Sequence, residues 1–150
     1  MKYQVELLME TQAEMLPLLM AHWDEVALDK DTIKPNGNWE IYAMLEEQGT
    51  LSFTTVRSDE GELFGYILYI IHPLMHYKHI LSAECDLYFM VAAHRKGMAG
   101  YKLLKRSEDD LVERGVNKVF NRVKLHLDVG PVFERLGYTA IERVYAKGLM

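Results

Sequence analysis

Residues 86–100 read DLYFMVAAHRKGMAG, an apolar strand-like run, a short polar passage, and then glycine and alanine at the opening of a charged run that continues to Gly115. A strand that turns straight into a helix leaves the first helical amides without partners, at the end where the peptide dipoles favour negative charge. In the turn at 94–100, Gly97 withholds a side chain from that place, and Ala99 and Gly100 keep the following positions small. His94, Arg95 and Lys96 add charge or donors at the rim, with Met98 at the entry to the helix. Local physics leaves two readings open, an anion cradle and a tight strand-to-helix connection. Neither GxxxxGK followed by Ser or Thr nor GxGxxG occurs here, which argues against ATP and NAD.

The run after the turn predicts a helix over 98–114, with Met98, Tyr101, Leu104, Glu108 and Leu111 on one stripe and Lys102, Lys105, Arg106, Asp109, Asp110 and Glu113 on the wet side. Upstream, AECDLYFMV (83–91) predicts a central strand, and LSFTTVR and LFGYILYII joined through DEGE predict a hairpin. The N-terminal part predicts a strand over 3–9, then a helix capped by Thr11 with Glu14 and reaching about Ala27, then a loop, DKDTIKPNGN, and a short helix over 39–47. Downstream, VNKVFNRVK, VGPVFERLGY and TAIERVYAKGL predict strand, helix and strand. The expected fold class is α/β (α+β), one domain over 1–150 with a mixed central sheet carrying helices on both faces.

Composition narrows the partners. The 17 Lys and Arg against 22 Asp and Glu give a net charge of −5, which disfavours nucleic acid as a partner. A single cysteine, Cys85, permits no intrachain disulfide, and a reducing, cytoplasmic location is expected. No apolar run approaches membrane-spanning length, so no membrane partner is expected. His72, His76 and His79 lie in a predicted loop without the convergence a metal site needs, and no metal is expected. Tyr77 in that loop is a candidate substrate contact.

On these residues the chain resembles the GCN5-related N-acetyltransferase (GNAT) superfamily. Val91 closes the strand, and His94 to Ala99 fall on the family pattern of Gln or Arg, two residues, Gly, one residue, and Gly or Ala, with histidine in the first place. PVFERLGY at 131–138 is similar to the family's late helix and turn, and ERVYAKGL at 142–149 to its closing strand.

The resemblance implies an N-acetyltransferase that carries acetyl from acetyl-CoA directly to a primary amine of a small molecule or protein, in a ternary complex. Acetyl-CoA would lie where DLYFMV and KVFNRVK splay apart, its pyrophosphate on amides from about Arg95 to Gly100. Its pantetheine arm would run along the 89–91 stretch, on backbone groups of Phe89 and Val91 beside Met90. Glu84 and Asp86, two apart on one strand face, are the candidate general bases, with Glu84 preferred for its place nearer the strand entrance. Phe133 stands where the family places a tyrosine beside the sulfur; thiolate departure then needs no protein acid, or Tyr88 or Tyr138 substitutes, or catalysis is weak. Tyr88 is also a candidate substrate contact. The alternative is a weak or inactive CoA-binding or interaction module of the same fold. A homodimer is a further expectation from the exposed sheet edges.

Overall fold

The computed structural model describes residues 1–150. Five strands, β1 (Lys2–Val5), β2 (Leu51–Arg57), β3 (Leu63–Leu74), β4 (Tyr77–Met90) and β5 (Lys118–Phe120), form one sheet in that order. Neighbours are antiparallel except β4 and β5, which run parallel. Helices α1 (Leu8–Val26) and α2 (Trp39–Glu47) cover one face, and α3 (Ala99–Glu113) and α4 (Gly130–Arg135) the other. This is the mixed sheet with helices on both faces that the sequence predicts.

Alternation along the strands builds a core on each face. Phe53, Tyr66, Leu68 and Phe89 pack with Leu8 and Met15 of α1, while Val56, Ile67, Tyr69, Ala83 and Met90 pack with Leu103, Leu104 and Leu111 of α3.

Several boundaries differ from the sequence expectations. Helix α1 begins at Leu8, so Thr11 is buried inside it and its hydroxyl donates to the Leu7 carbonyl. The cap comes from α2 instead: the Glu46 carboxylate accepts from the amides of Leu8 (2.5 Å) and Met9 (3.1 Å). On α3 the buried stripe is rotated, running through Ala99, Leu103, Leu104, Ser107, Asp110 and Leu111, while Met98 is exposed. Asp110 tolerates burial because Ser52 Oγ (2.6 Å) and Arg114 Nε (2.7 Å) both donate to it. Strand β4 starts at Tyr77, so most of the expected loop at 73–82 is hairpin, with Leu74 opposite Tyr77. The predicted closing strand at 139–149 does not form. Its Ile141, Val144, Tyr145 and Leu149 are exposed, since strand-type residues without a neighbouring ladder have nothing to pair with.

Two irregularities in the sheet shape the site. The β3–β4 register steps between Leu68, opposite Leu87, and Tyr69, opposite Cys85, so Asp86 is an extra residue, a β-bulge. Strand β5 pairs with β4 only over Ser82 to Glu84, which leaves the outer edge of β4 beyond that point without a strand.

Candidate active site

The open edge of β4 leads directly into the glycine turn. A single 3-10 turn, Ala92–His94, follows the strand, and the amides of His94 and Arg95 are bonded within it, to the carbonyls of Val91 and Ala92. The amides of Lys96, Gly97 and Met98 make no backbone bond, and those of Ala99, Gly100 and Tyr101 open α3 ahead of its first bond, Lys102 N–H to Met98 O (2.9 Å). A row of free donors therefore ends the cleft. Gly97 has φ +64°, which favours glycine, and an added Cβ would meet only open space.

The rim charges divide unequally. Arg95 is turned inward: its guanidinium donates to both oxygens of Glu25 on α1 (2.8 and 2.7 Å) and to the Met90 carbonyl (2.6 Å), and it lies over the Phe89 ring. His94 stacks on Phe64 with ring centroids 3.6 Å apart. Both side chains tie the turn to the body of the protein. Lys96 remains, joined by Lys102 of α3 around a cavity of about 310 Å³ that Met1, Tyr3, Met98 and Ala99 complete. Arg135 of α4 reaches across to Met98 Sδ (3.5 Å) and the Tyr101 ring, a cation that the FERLGY segment carried unnoticed.

The backbone groups facing the splay also shift from the expected residues. Val91 N–H donates to Phe64 O (2.8 Å), and Phe89 lies two residues earlier, opposite Tyr66. Alternation in an antiparallel ladder turns the peptide groups of both toward β3. Tyr88 and Met90 face the open edge instead, although the Met90 carbonyl is already held by Arg95.

The cleft floor is aromatic. Phe133 is 5 % exposed, its ring 6.0 Å from that of Tyr88 and 5.6 Å from that of Tyr138. The Tyr88 side chain packs on the α3 side, where its hydroxyl lies 2.9 Å from the place a Cβ on Gly100 would take. Burial pushes its phenol up to about 12, and burial together with Glu108 raises that of Tyr138. Asn121, directly after β5 where the strands part, was not singled out by its sequence. Its Oδ1 accepts from Tyr69 Oη (2.8 Å), but its Nδ2 is buried without any partner. The one available signal was a polar residue closing the apolar KVF of β5.

The opposite face of β4 carries the carboxylates. Glu84 lies opposite Ile70 and is engaged by Arg122 (3.3 Å) and His72 (3.6 Å). Asp86 on the bulge meets neither of them. It accepts one bond, from the Tyr42 hydroxyl of α2 at 2.5 Å. Burial, with help from Asp86, raises the Tyr42 phenol and keeps it protonated. Under α1, His22 Nδ1 lies 3.1 Å from Tyr66 Oη and the ring stacks on Phe89; burial lowers its imidazole to about 4. Burial also raises the Cys85 thiol to about 12, which fits a packed side chain better than a nucleophile. Tyr77 lies nine residues along β4 from Asp86, roughly 30 Å away, and does not join the site.

An open-edged parallel pair, free amides at a glycine turn and a bulge in β4, fourth of the five strands rather than the central one expected, together decide the comparison. The fold is that of the GCN5-related N-acetyltransferases. A ribosomal-protein-alanine N-acetyltransferase from Brucella melitensis biovar Abortus 2308 superposes with a TM-score of 0.73 at 16% identity, over 99% of this chain and 100% of that one. An aminoglycoside acetyltransferase from an uncultured soil metagenomic sample, in complex with trehalose, gives 0.74 at 13% identity, over 99% and 95%. A predicted acetyltransferase from Clostridium acetobutylicum, solved with acetyl-CoA, gives 0.69 at 13% identity, over 99% and 96%. No family model and no curated protein sequence matches the chain. At such identities the GNAT likeness is one of fold, and the chemistry rests on this chain's own residues. No helix is long and apolar enough to cross a membrane.

Proposed function

We propose that this chain is an acetyl-CoA-dependent N-acetyltransferase acting directly on a primary amine. The β4 bulge is the observation that carries the reading. It sets Asp86 on the α2 side, while Tyr88 and Met90, immediately beyond, direct backbone groups into the splay toward the glycine turn.

The cleft fits an acyl-CoA. Free amides at 96–101, with Lys96, Lys102 and Arg135 nearby, suit a pyrophosphate, and the orphaned Asn121 Nδ2 suits a ligand carbonyl where the strands part. Acetyl-CoA supplies its acetyl group as a thioester. Asp86 is placed to take the proton that the amine loses as its nitrogen bonds to the carbonyl carbon and the carbon–sulfur bond breaks. Glu84 is less suited, because Arg122 and His72 already compensate its charge. Phe133 has no hydroxyl, so the departing sulfur takes its proton from solvent, acceptable for a thiolate leaving group.

The test is acetyl-CoA-dependent thiol release over a panel of amines. Asp86→Asn should lower kcat by about a hundredfold or more, Glu84→Gln by only a few fold, with CoA affinity kept in both. Equal losses in the two variants would remove Asp86 from the role. Tight CoA binding without release by any amine would favour the inactive-module reading, which Phe133 supports.

A further inference from the structure

The Tyr42 side chain has two sides. Its hydroxyl holds Asp86, and its ring forms one wall of a cavity of about 330 Å³ at the start of α2. Asn36, Gly37, Asn38, Ile41, Leu45 and Ile70 complete the lining, and none of these residues carries a charge. The volume falls in the range of small-molecule sites. Its polar groups are amides at one rim. Asn38 spends Oδ1 on the Ile41 amide as the helix cap (3.3 Å), which leaves its Nδ2 to donate. Gly37 lets this rim lie close: a Cβ there would stand 3.0 Å from the Trp39 indole nitrogen, and Trp39 in turn packs on Tyr42.

From this geometry we infer that the acceptor is a monoamine with an uncharged, largely apolar body, whose body fills the α2 cavity while its ammonium faces Asp86. The inference rests on the N-acetyltransferase reading of the bulge. Charge accounting selects against polyamines. With one ammonium at Asp86, a second would enter a cavity walled by Ile41, Leu45 and Ile70, where an unpaired charge is costly. Glu84, the neighbouring carboxylate, cannot readily serve it, because Arg122 and His72 are already there. A carbonyl or hydroxyl on the body would find Asn38 Nδ2, so the class extends to amines bearing one uncharged polar group.

Two probes of equal length isolate the point: hexylamine and 1,6-diaminohexane, titrated calorimetrically into the full chain at neutral pH. Hexylamine should bind about tenfold tighter or better. Ile70→Glu should cancel or reverse that preference, and Ile41→Asp, at a half-exposed position where folding is not at stake, should do the same more weakly. Equal or tighter binding of the diamine to the unaltered chain overturns the inference, as does a preference that survives both variants. CoA is titrated separately. Failure of CoA to bind counts against the transferase reading, whereas failure of the amine preference counts against the cavity alone.

Discussion

The Tyr42 hydroxyl donates to the Asp86 carboxylate across 2.5 Å, joining a helix without a single fully buried residue to the bulge of β4. Together with the Glu46 clamp on the α1 amides, this contact holds α2 over the face of the sheet that carries Asp86. Tyr42→Phe removes only the hydroxyl. Amide hydrogen exchange over 39–47 should rise about tenfold in the variant, as expected for loss of one charge-assisted bond, with exchange in α3 unchanged. Equal acceleration in both helices would show that the contact supports the whole fold rather than α2.

Asn121→Asp keeps the acceptor that Tyr69 uses and replaces the orphaned donor with an oxygen. Thermal stability should fall, because the second carboxylate oxygen is buried without a donor, and CoA affinity of the folded protein should fall about tenfold or more, since an acceptor would then face an acceptor. Unchanged CoA affinity would mean that Nδ2 points at no cofactor group.

Gly100 and Tyr88 compete for one space. A Cβ at position 100 would lie 2.9 Å from the Tyr88 hydroxyl, so Gly100→Ala should lower both the melting temperature and CoA affinity. Tyr88→Phe in the same chain should restore most of the stability, because it removes the obstructing oxygen. A double variant no better than Gly100→Ala alone would place the strain elsewhere.

His22 sets an acid limit. Burial holds its folded imidazole near 4 against 6.5 when free, so the unfolded chain binds the proton first as pH falls. The contribution is complete above about 6.5 and is lost toward 4, to the extent of about 3 kcal/mol. Chemical denaturation across that window should give a flatter stability curve for His22→Gln than for the unaltered chain. Parallel curves would assign the acid sensitivity to other groups.

Arg95 is predicted to matter for folding more than for cofactor. Arg95→Gln breaks its contacts to Glu25 and the Met90 carbonyl and should cost about 1–3 kcal/mol of stability, with a smaller loss in CoA affinity than Lys96→Gln with Lys102→Gln. The reverse order would return Arg95 to the anion site.

What the sequence made legible was local. The glycine turn, helix α3 and the β2–β3 hairpin follow from short-range pattern, because their signals lie within a few residues of the structure they specify. What it hid was long-range. Glu46 caps α1 from 37 and 38 residues away, Glu25 captures Arg95 from 70, and Tyr42 finds Asp86 from 44, none of which leaves a mark in local periodicity. The same limit hid which peptide groups of β4 face outward, those of Tyr88 and Met90 rather than Phe89 and Val91, since pairing with β3 determines which remain free.

The bulge at Asp86 is also a phase change in β4. Ahead of it, even-numbered Glu84 faces the side of Ile70; beyond it, even-numbered Tyr88 and Met90 pack on the α3 side. Deleting that one residue would mend the ladder without turning either half of the strand over, since Cys85 would stay opposite Tyr69 and Leu87 opposite Leu68, and only the added carboxylate would be lost. The inserted residue is what gives β4 a carboxylate on the α2 side without disturbing the register of its neighbours, whereas the hairpin turn at 75–76, with nothing packed beyond it, is free to grow or shrink.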